Sequence, residues 1–239
     1  MKYLDLTLPA PAENLACDEA LLDRCEEGEA GGVLRFWEPR ESFVVVGYAN
    51  KVAAEVNVEA CRAHGIPLLR RCSGGGTVLQ GPGCLNYSLI LPMQNFGPLE
   101  SVTGTNRFVM QRQQEVLTKL LGRPVQIQGH TDLTLGDLKF SGNAQRRKRQ
   151  CLIFHGTFLL NFDLAQVQQF LTFPSKQPNY RQGRSHQDFL TNLQLSAVAI
   201  KQALGEGWGA TESLKEVPAT AIAKLAREKY STKEWNLKC

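Results

Sequence analysis

Apolar residues recur at helical spacing over residues 12–25, where Leu15, Ala16, Ala20 and Leu21 share one face. Residues 33–37 and 43–48 read as strands, the second carrying a Val44-Val45-Val46 run that suits burial on both sides. Residues 52–64 predict a helix ended by Gly65 and Pro67. Short apolar runs at 66–69 and 86–91 predict two more strands, with Gly81-Pro82-Gly83 as a turn between them. A longer helix is expected over 106–121, then a strand at 125–128. Residues 133–140 and 151–162 read as strands around a Ser141-Gly142-Asn143-Ala144 turn. Later helices fall at 164–173, 196–204 and 219–230, and the polar stretch 174–187, rich in turn formers, reads as a mobile loop. A strand-rich middle with hairpin turns and flanking helices predicts an α+β fold rather than alternating βα units.

The stretch from Arg70 to Thr77, Arg-Arg-Cys-Ser-Gly-Gly-Gly-Thr, interrupts this pattern between two strands. Three glycines let a backbone turn tightly and approach a ligand closely, and successive N–H groups in such a turn suit an anion. Arg70 and Arg71 could add forked donors for phosphate or carboxylate. A flexible surface loop would also tolerate three glycines. No Gly-Lys-Ser/Thr follows and the G-x-G-x-x-G spacing is missing, so generic NTPase and dinucleotide-binding readings lose their support.

Composition narrows the classes further. The chain has 239 residues, 43% of them hydrophobic, which allows one large domain or two small ones. A net charge of +4 permits an anionic ligand but does not argue for nucleic acid. Arg146-Arg147-Lys148-Arg149 is the dense basic run and fits either a solvated hairpin tip or a phosphate or partner contact. Seven cysteines (17, 25, 61, 72, 84, 151 and 239) are scattered without a C-x-x-C pair, and four dispersed histidines suggest no zinc site. No stretch is long and apolar enough for a membrane span, and the N-terminus has no signal-like pattern. A reduced, cytoplasmic protein is the simplest expectation.

A second informative segment is Lys139-Phe140-Ser141-Gly142-Asn143-Ala144. Strand alternation would send Leu138 and Phe140 to the core and Lys139 to the other face. Such a lysine is either a solvated strand residue or a point charge aimed at phosphate or a developing carbonyl charge. His155-Gly156-Thr157-Phe158-Leu159-Leu160 follows, and a lone histidine is by default a structural hydrogen bonder.

Taken together, Arg70 to Val78, then Asn86-Tyr87-Ser88, then Lys139 to Ala144, then His155 to Leu160 resemble the lipoate–protein ligase family in order and spacing. The resemblance runs from Asn14-Leu15-Ala16 to Glu234-Trp235-Asn236, nearly the whole chain. It implies a single catalytic domain over residues 1–239, with a mixed, mainly antiparallel sheet flanked by helices, the fold shared with biotin–protein ligases and lipoyl or octanoyl transferases. It also implies a two-step reaction: lipoate and ATP form lipoyl-adenylate, and the lipoyl group then passes to a carrier lysine. Lys139 is the catalytic residue so implied. Arg71, Ser73, Gly74, Gly75, Gly76, Thr77, Val78, Asn86, Ser141, Gly142, Ala144, His155 and Gly156 would line the substrate and adenylate site. Gly129-His130-Thr131-Asp132 resembles a family segment that would put Asp132 near adenine or a magnesium ion. Arginine, lysine and backbone N–H groups are the donors a charged mixed anhydride needs, and Mg2+ is expected with ATP. The implied partners are lipoyl carrier domains, on E2 subunits of 2-oxoacid dehydrogenases or on a glycine cleavage H-type protein, with neither nucleic acid nor membrane.

Two departures keep rivals open. Many ligases of the family continue into an accessory domain beyond the Glu-Trp-Asn segment, whereas this sequence ends at Cys239. Either a separate subunit supplies that part, or the chain performs part of the reaction. The acyltransferase relatives use a cysteine nucleophile, in one branch just upstream of the lysine segment, and residues 126–135 contain none. Octanoyl or lipoyl transfer through an acyl-cysteine would fall to Cys72 or Cys84, whose ordinary role is small buried packing. A non-catalytic lipoyl- or carrier-binding protein is the third reading, against which the retained Arg71, Lys139 and glycine loop argue.

Overall fold

The computed structural model describes residues 1–94, 99–174 and 176–238. Cys239 and Ser175, the latter within the 174–187 stretch, lie outside the described residues. The chain runs β1 (Lys2–Asp5), α1 (Pro11–Glu26), β2 (Val33–Trp37), β3 (Phe43–Val46), α2 (Val52–Glu55), α3 (Val58–Ala63), β4 (Leu68–Arg70), β5 (Val78–Gln80) and β6 (Cys84–Pro92). It continues with α4 (Val102–Leu121), β7 (Gln126–Gln128), β8 (Asp132–Leu135), β9 (Leu138–Arg147), β10 (Cys151–Leu159), α5 (Ala165–Phe170), α6 (His186–Phe189) and α7 (Ala197–Gly207). The final elements are β11 (Glu212–Ser213), α8 (Ala219–Leu225) with a π turn at Ala226–Tyr230, and α9 (Lys233–Asn236).

An eight-stranded sheet has the order β11-β1-β2-β6-β10-β9-β8-β7, and a three-stranded sheet has β4-β3-β5. In the large sheet, only the pairs β1 makes with β11 and β2 are parallel. The fold is therefore α+β with a mixed, mainly antiparallel sheet, as expected.

Strand alternation gives the large sheet two unlike faces. Leu34, Phe36, Tyr87, Leu89, Leu152, Phe154 and Phe158 turn one way, into an apolar core with Val109, Met110 and Leu117 of α4 and Ile200 and Leu204 of α7. The other face carries Val33, Trp37, Ile90 and Ile153 against Leu15, Ala16, Ala20 and Leu21 of α1. In register across that second face lies the row Ala144, His155, Ser88, Arg35, and next to it the row Gly142, Thr157, Asn86, Trp37. Polar and small residues thus gather on the face shared by α1 and the smaller sheet.

Four expectations need correction. The 52–64 helix breaks at Val56, which is extended and bridges Leu171, while Asn57 caps the next helix through Ala60 N; tertiary pairing of a β-branched residue overrides the helical pattern. The run 133–140 is two strands joined at Gly136 in the left-handed region, with a bulge at Phe140 that leaves Leu138 38% exposed. Residues 141–144 are no turn: they pair with Thr157 and its neighbours inside β9, and the hairpin turns instead at Lys148-Arg149-Gln150, where Glu26 accepts from three backbone N–H groups. Finally, Cys25 and Cys151 are joined by a disulfide tying α1 to β10, so not all cysteines are free.

Candidate active site

Arg70 and Arg71 part company in the fold. Arg70 is fully buried and donates to the carbonyls of Gly47, Asn50, Trp235 and Lys238, while its backbone N–H donates to Asn236. It clamps α9 to the smaller sheet. Arg71 turns into the glycine loop: Nη2 donates to Gly74 O (2.5 Å) and Gly76 O (2.8 Å), and Nε to Ser73 Oγ (3.0 Å). Burial pushes its guanidinium down to about 10, still charged at neutral pH. Gly75 has φ +87°, and a Cβ there would lie 2.9 Å from Arg71 Nη2 and 3.4 Å from Ala144 Cβ. A side chain at Gly75 would be strained and would push the loop off β9. The loop therefore rests on the polar face of the large sheet, with Ser73 touching His155 and Cys72 O accepting from Arg146.

Lys139 lies on that sheet with its Nζ 2.7 Å from Asp132 Oδ1. Asp132 Oδ2 accepts from Tyr180 Oη at 2.8 Å. Burial and the Asp132 carboxylate push the Tyr180 phenol up, so it stays protonated and donates. Gly142 makes room for the lysine, since a Cβ there would meet Lys139 Nζ at 2.9 Å. The 174–187 stretch holds structure of its own: a 3-10 turn at Asn179–Arg181 presents Tyr180 to Asp132, and Arg181 is buried against the rings of Phe173 and Phe189. His186 of α6 is pushed down to about 4 by burial, then by Arg181 and Lys139.

A chain of buried polar groups runs behind the loop. Ser73 Oγ is 2.5 Å from His155 Nε2, and His155 Nδ1 is 3.6 Å from Asp18 Oδ2. The same Asp18 oxygen accepts from Ser88 Oγ at 2.7 Å, and Oδ1 accepts from Arg35 Nη1 at 2.5 Å. Arg35 also donates to Asn14 Oδ1 and to the carbonyls of Leu6 and Asn14. Burial alone would raise the Asp18 carboxyl, but Arg35, His155 and Ser88 together hold it below the usual range. It is an ionised acid inside the protein, fully partnered.

The expected residues fall into groups. Lys139, Asp132 and Gly142 meet on one side, and Ser73, Gly75, Ala144 and His155 on the other, joined by β9. Gly74 and Gly76 face open space. Asn86 hydrogen-bonds Thr157 and Gln80 within the sheet face. Thr77 donates its N–H to Glu55, and Val78 begins β5. Ser141 pairs with Phe158 and turns to the apolar face; Gly156 lies against the Asn143 amide that also accepts from Tyr87. Burial pushes the Cys72 and Cys84 thiols up to about 12, so neither supplies a thiolate at neutral pH. Asp18, Arg35 and Tyr180 were not anticipated. An arginine inside the apolar run Val-Leu-Arg-Phe-Trp, and Asn14 and Asp18 four apart beside the apolar face of α1, were the available signals.

Residues 10–203 match the lipoyl protein ligase A/B catalytic domain. This chain belongs to that family. An octanoyltransferase LipM from Halalkalibacterium halodurans is 26% identical, with 99% of this chain and 98% of its own length aligned. A solved lipoate-protein ligase A bound with ATP superposes with a TM-score of 0.82 at 25% identity, covering 99% of this chain and 98% of that one. The bi-partite lipoate protein ligase of Thermoplasma acidophilum, described with its E2 lipoyl domain, has a TM-score of 0.82 at 24% identity over 99% of this chain and 95% of its own. That last likeness shows the fold alone. The family holds both ligases and acyltransferases, and the chain is an enzyme of this ligase and transferase class.

Proposed function

We propose that the chain activates lipoate with ATP as lipoyl-adenylate and transfers the lipoyl group to a lysine of a carrier domain. The observation that carries this reading is that β9 holds Lys139 over Gly142 and supports the glycine loop at Ala144 on the same sheet face, while the nearby Cys72 and Cys84 thiols are buried and stay protonated. Lys139 Nζ is partly exposed and held by a single carboxylate, so an incoming phosphate can take that carboxylate's place. Its charge would then stabilise negative charge developing on the α-phosphate and the acyl carbonyl. The open backbone at Gly74 and Gly76 lets the anhydride approach closely, and the Arg71 charge sits directly beneath it.

Among the described residues, no three of His, Cys, Asp and Glu come together to hold a metal. Both Asp132 oxygens already have partners. Such a donor set fits a magnesium ion that arrives on the nucleotide phosphates and borrows at most Asp132. Bound there, the ion would neutralise charge on the leaving pyrophosphate. ATP and lipoate as ligands and an E2 or H-type lipoyl carrier as partner follow from this reading, and a separate accessory subunit is compatible with it; the ATP-bound relative supports the nucleotide.

Octanoyl or lipoyl transfer between carriers is the second reading, favoured by the LipM relative. Pyrophosphate release with ATP and lipoate, octanoate or biotin separates the two. Release with lipoate supports the ligase. No release, with ATP-independent transfer from an octanoyl carrier, selects the transferase.

A further inference from the structure

The buried chain Arg35–Asp18–His155–Ser73 is more than a satisfied core network, because it ends at the acyl-binding loop. Arg35 and Asp18 are 0% and 3% exposed, Ser73 is 1% exposed, and the His155 ring reaches the site with 12% of its side chain exposed. Arg71 Nε is only a donor, so Ser73 Oγ accepts from it, and the serine proton is free to point at His155 Nε2. That direction needs the imidazole protonated on Nδ1, the nitrogen that faces the Asp18 carboxylate. Arg35 in turn keeps Asp18 ionised and fixed. Hydroxyl and imidazole are hydrogen-bonded, and the carboxylate faces Nδ1 at 3.6 Å, an ion-pair contact that becomes a hydrogen bond on a small approach.

We propose that Asp18 is a positioning residue that aligns His155 to draw a proton through Ser73 during acyl transfer; this rests on the proposed ligase reading. The carrier lysine amine attacks the acyl carbonyl of the adenylate, forming the C–N bond. The bond from carbonyl carbon to phosphate oxygen breaks, and AMP leaves with its electron pair. Ser73 is buried beneath the loop, so the loop must shift to admit the amine. The amine proton then passes to Ser73 Oγ, whose own proton moves to His155 Nε2, and the imidazolium formed faces the Asp18 carboxylate. Formation of the adenylate releases no such proton, so the relay serves the second half-reaction and not the first.

The test measures the two half-reactions separately in the full chain, with pyrophosphate release for the first and transfer from supplied lipoyl-adenylate to a lipoyl carrier domain for the second. In Asp18→Asn, the transfer kcat should fall ~10–100-fold, while the carrier KM and adenylate formation stay within ~3-fold. Asp18→Glu should recover part of the loss. The double variant Asp18→Asn with His155→Gln should be no slower than His155→Gln alone. Equal losses in both half-reactions, or additive losses, would overturn the proposal in favour of a structural role. Asp18→Asn leaves Arg35 buried without its counter-charge and can fail to fold. In that case His155→Gln decides, because His155 does not touch Arg35: unimpaired transfer overturns the relay. If the wild type makes no adenylate and instead transfers from an octanoyl carrier thioester, the ligase reading fails. The variant-to-wild-type ratio in that transfer then judges Asp18 independently.

Discussion

The two faces of the large sheet are built from alternate residues of the same strands, yet they do opposite work. Phe154 points to the α4–α7 side and is fully buried among aliphatic and aromatic neighbours. His155, the next residue, points to the α1 side and joins Ser73 to Asp18. One face is dominated by apolar packing, its few polar groups such as Tyr87 and Asn143 hydrogen-bonded to each other. The other holds an ionised aspartate, a buried arginine and a lysine laid over Gly142 and paired with Asp132, stabilised only because each charge has a partner. Stability and chemistry are separated by one residue of strand period.

Truncations on the two faces should therefore give opposite phenotypes. Phe154→Ala removes a ring from the packed face and should lower stability by about 3–5 kcal/mol. Chemical denaturation reads this loss, and the fraction that remains folded should keep its turnover. Lys139→Ala on the polar face should slow the reaction at least ~100-fold, equivalent to ~2.7 kcal/mol, with little change in denaturation midpoint. Near-normal turnover in that variant would remove Lys139 from the mechanism.

The polar face should also be the acid-sensitive one. The folded Asp18 carboxyl lies below its unfolded value near ~3.9, so its stabilisation is present above that value and is lost as pH falls through the folded one. Melting temperature followed from pH 7 down to pH 2 should therefore drop in acid. Phe154→Ala should shift that curve down without changing its shape, whereas Asp18→Asn should flatten its acid limb. The smallest effect belongs to the thiols: Cys72→Ser and Cys84→Ser should each leave acyl transfer within ~3-fold, since both thiols are buried and protonated. An acyl-cysteine trapped on either residue without ATP would reverse that assignment.

Local patterning carried much of the fold. The 33–37 strand, α1 within a residue at each end, and the helix ending at Leu121 follow from periodicity and capping residues. The pattern failed where small polar residues serve a site. Ser141 to Ala144 look like a turn because they lack large apolar side chains, but strand residues beneath a lysine and a glycine loop must be small. Lys139, Asp132 and the loop were legible as motifs. Tyr180 was not, because nothing in a polar loop shows which carboxylate its hydroxyl will meet.

The sequence by itself determined the family and the α+β class and marked the lysine and glycine-loop motifs as candidates, because these depend on residue type and spacing along the chain. Only the tertiary structure decided that Arg70 clamps the C-terminal helix while Arg71 braces the loop, and that Cys25 meets Cys151 across 126 residues. It also brought Asp18, Arg35, His155 and Ser73, drawn from four separate segments, into one buried line. Adjacent arginines have the same local chemistry. What distinguishes them is the side to which the end of β4 sends each one. Arg70 reaches carbonyls of residues 47–50 and of the C-terminal helix, brought there by the fold, while Arg71 turns back into its own glycine loop.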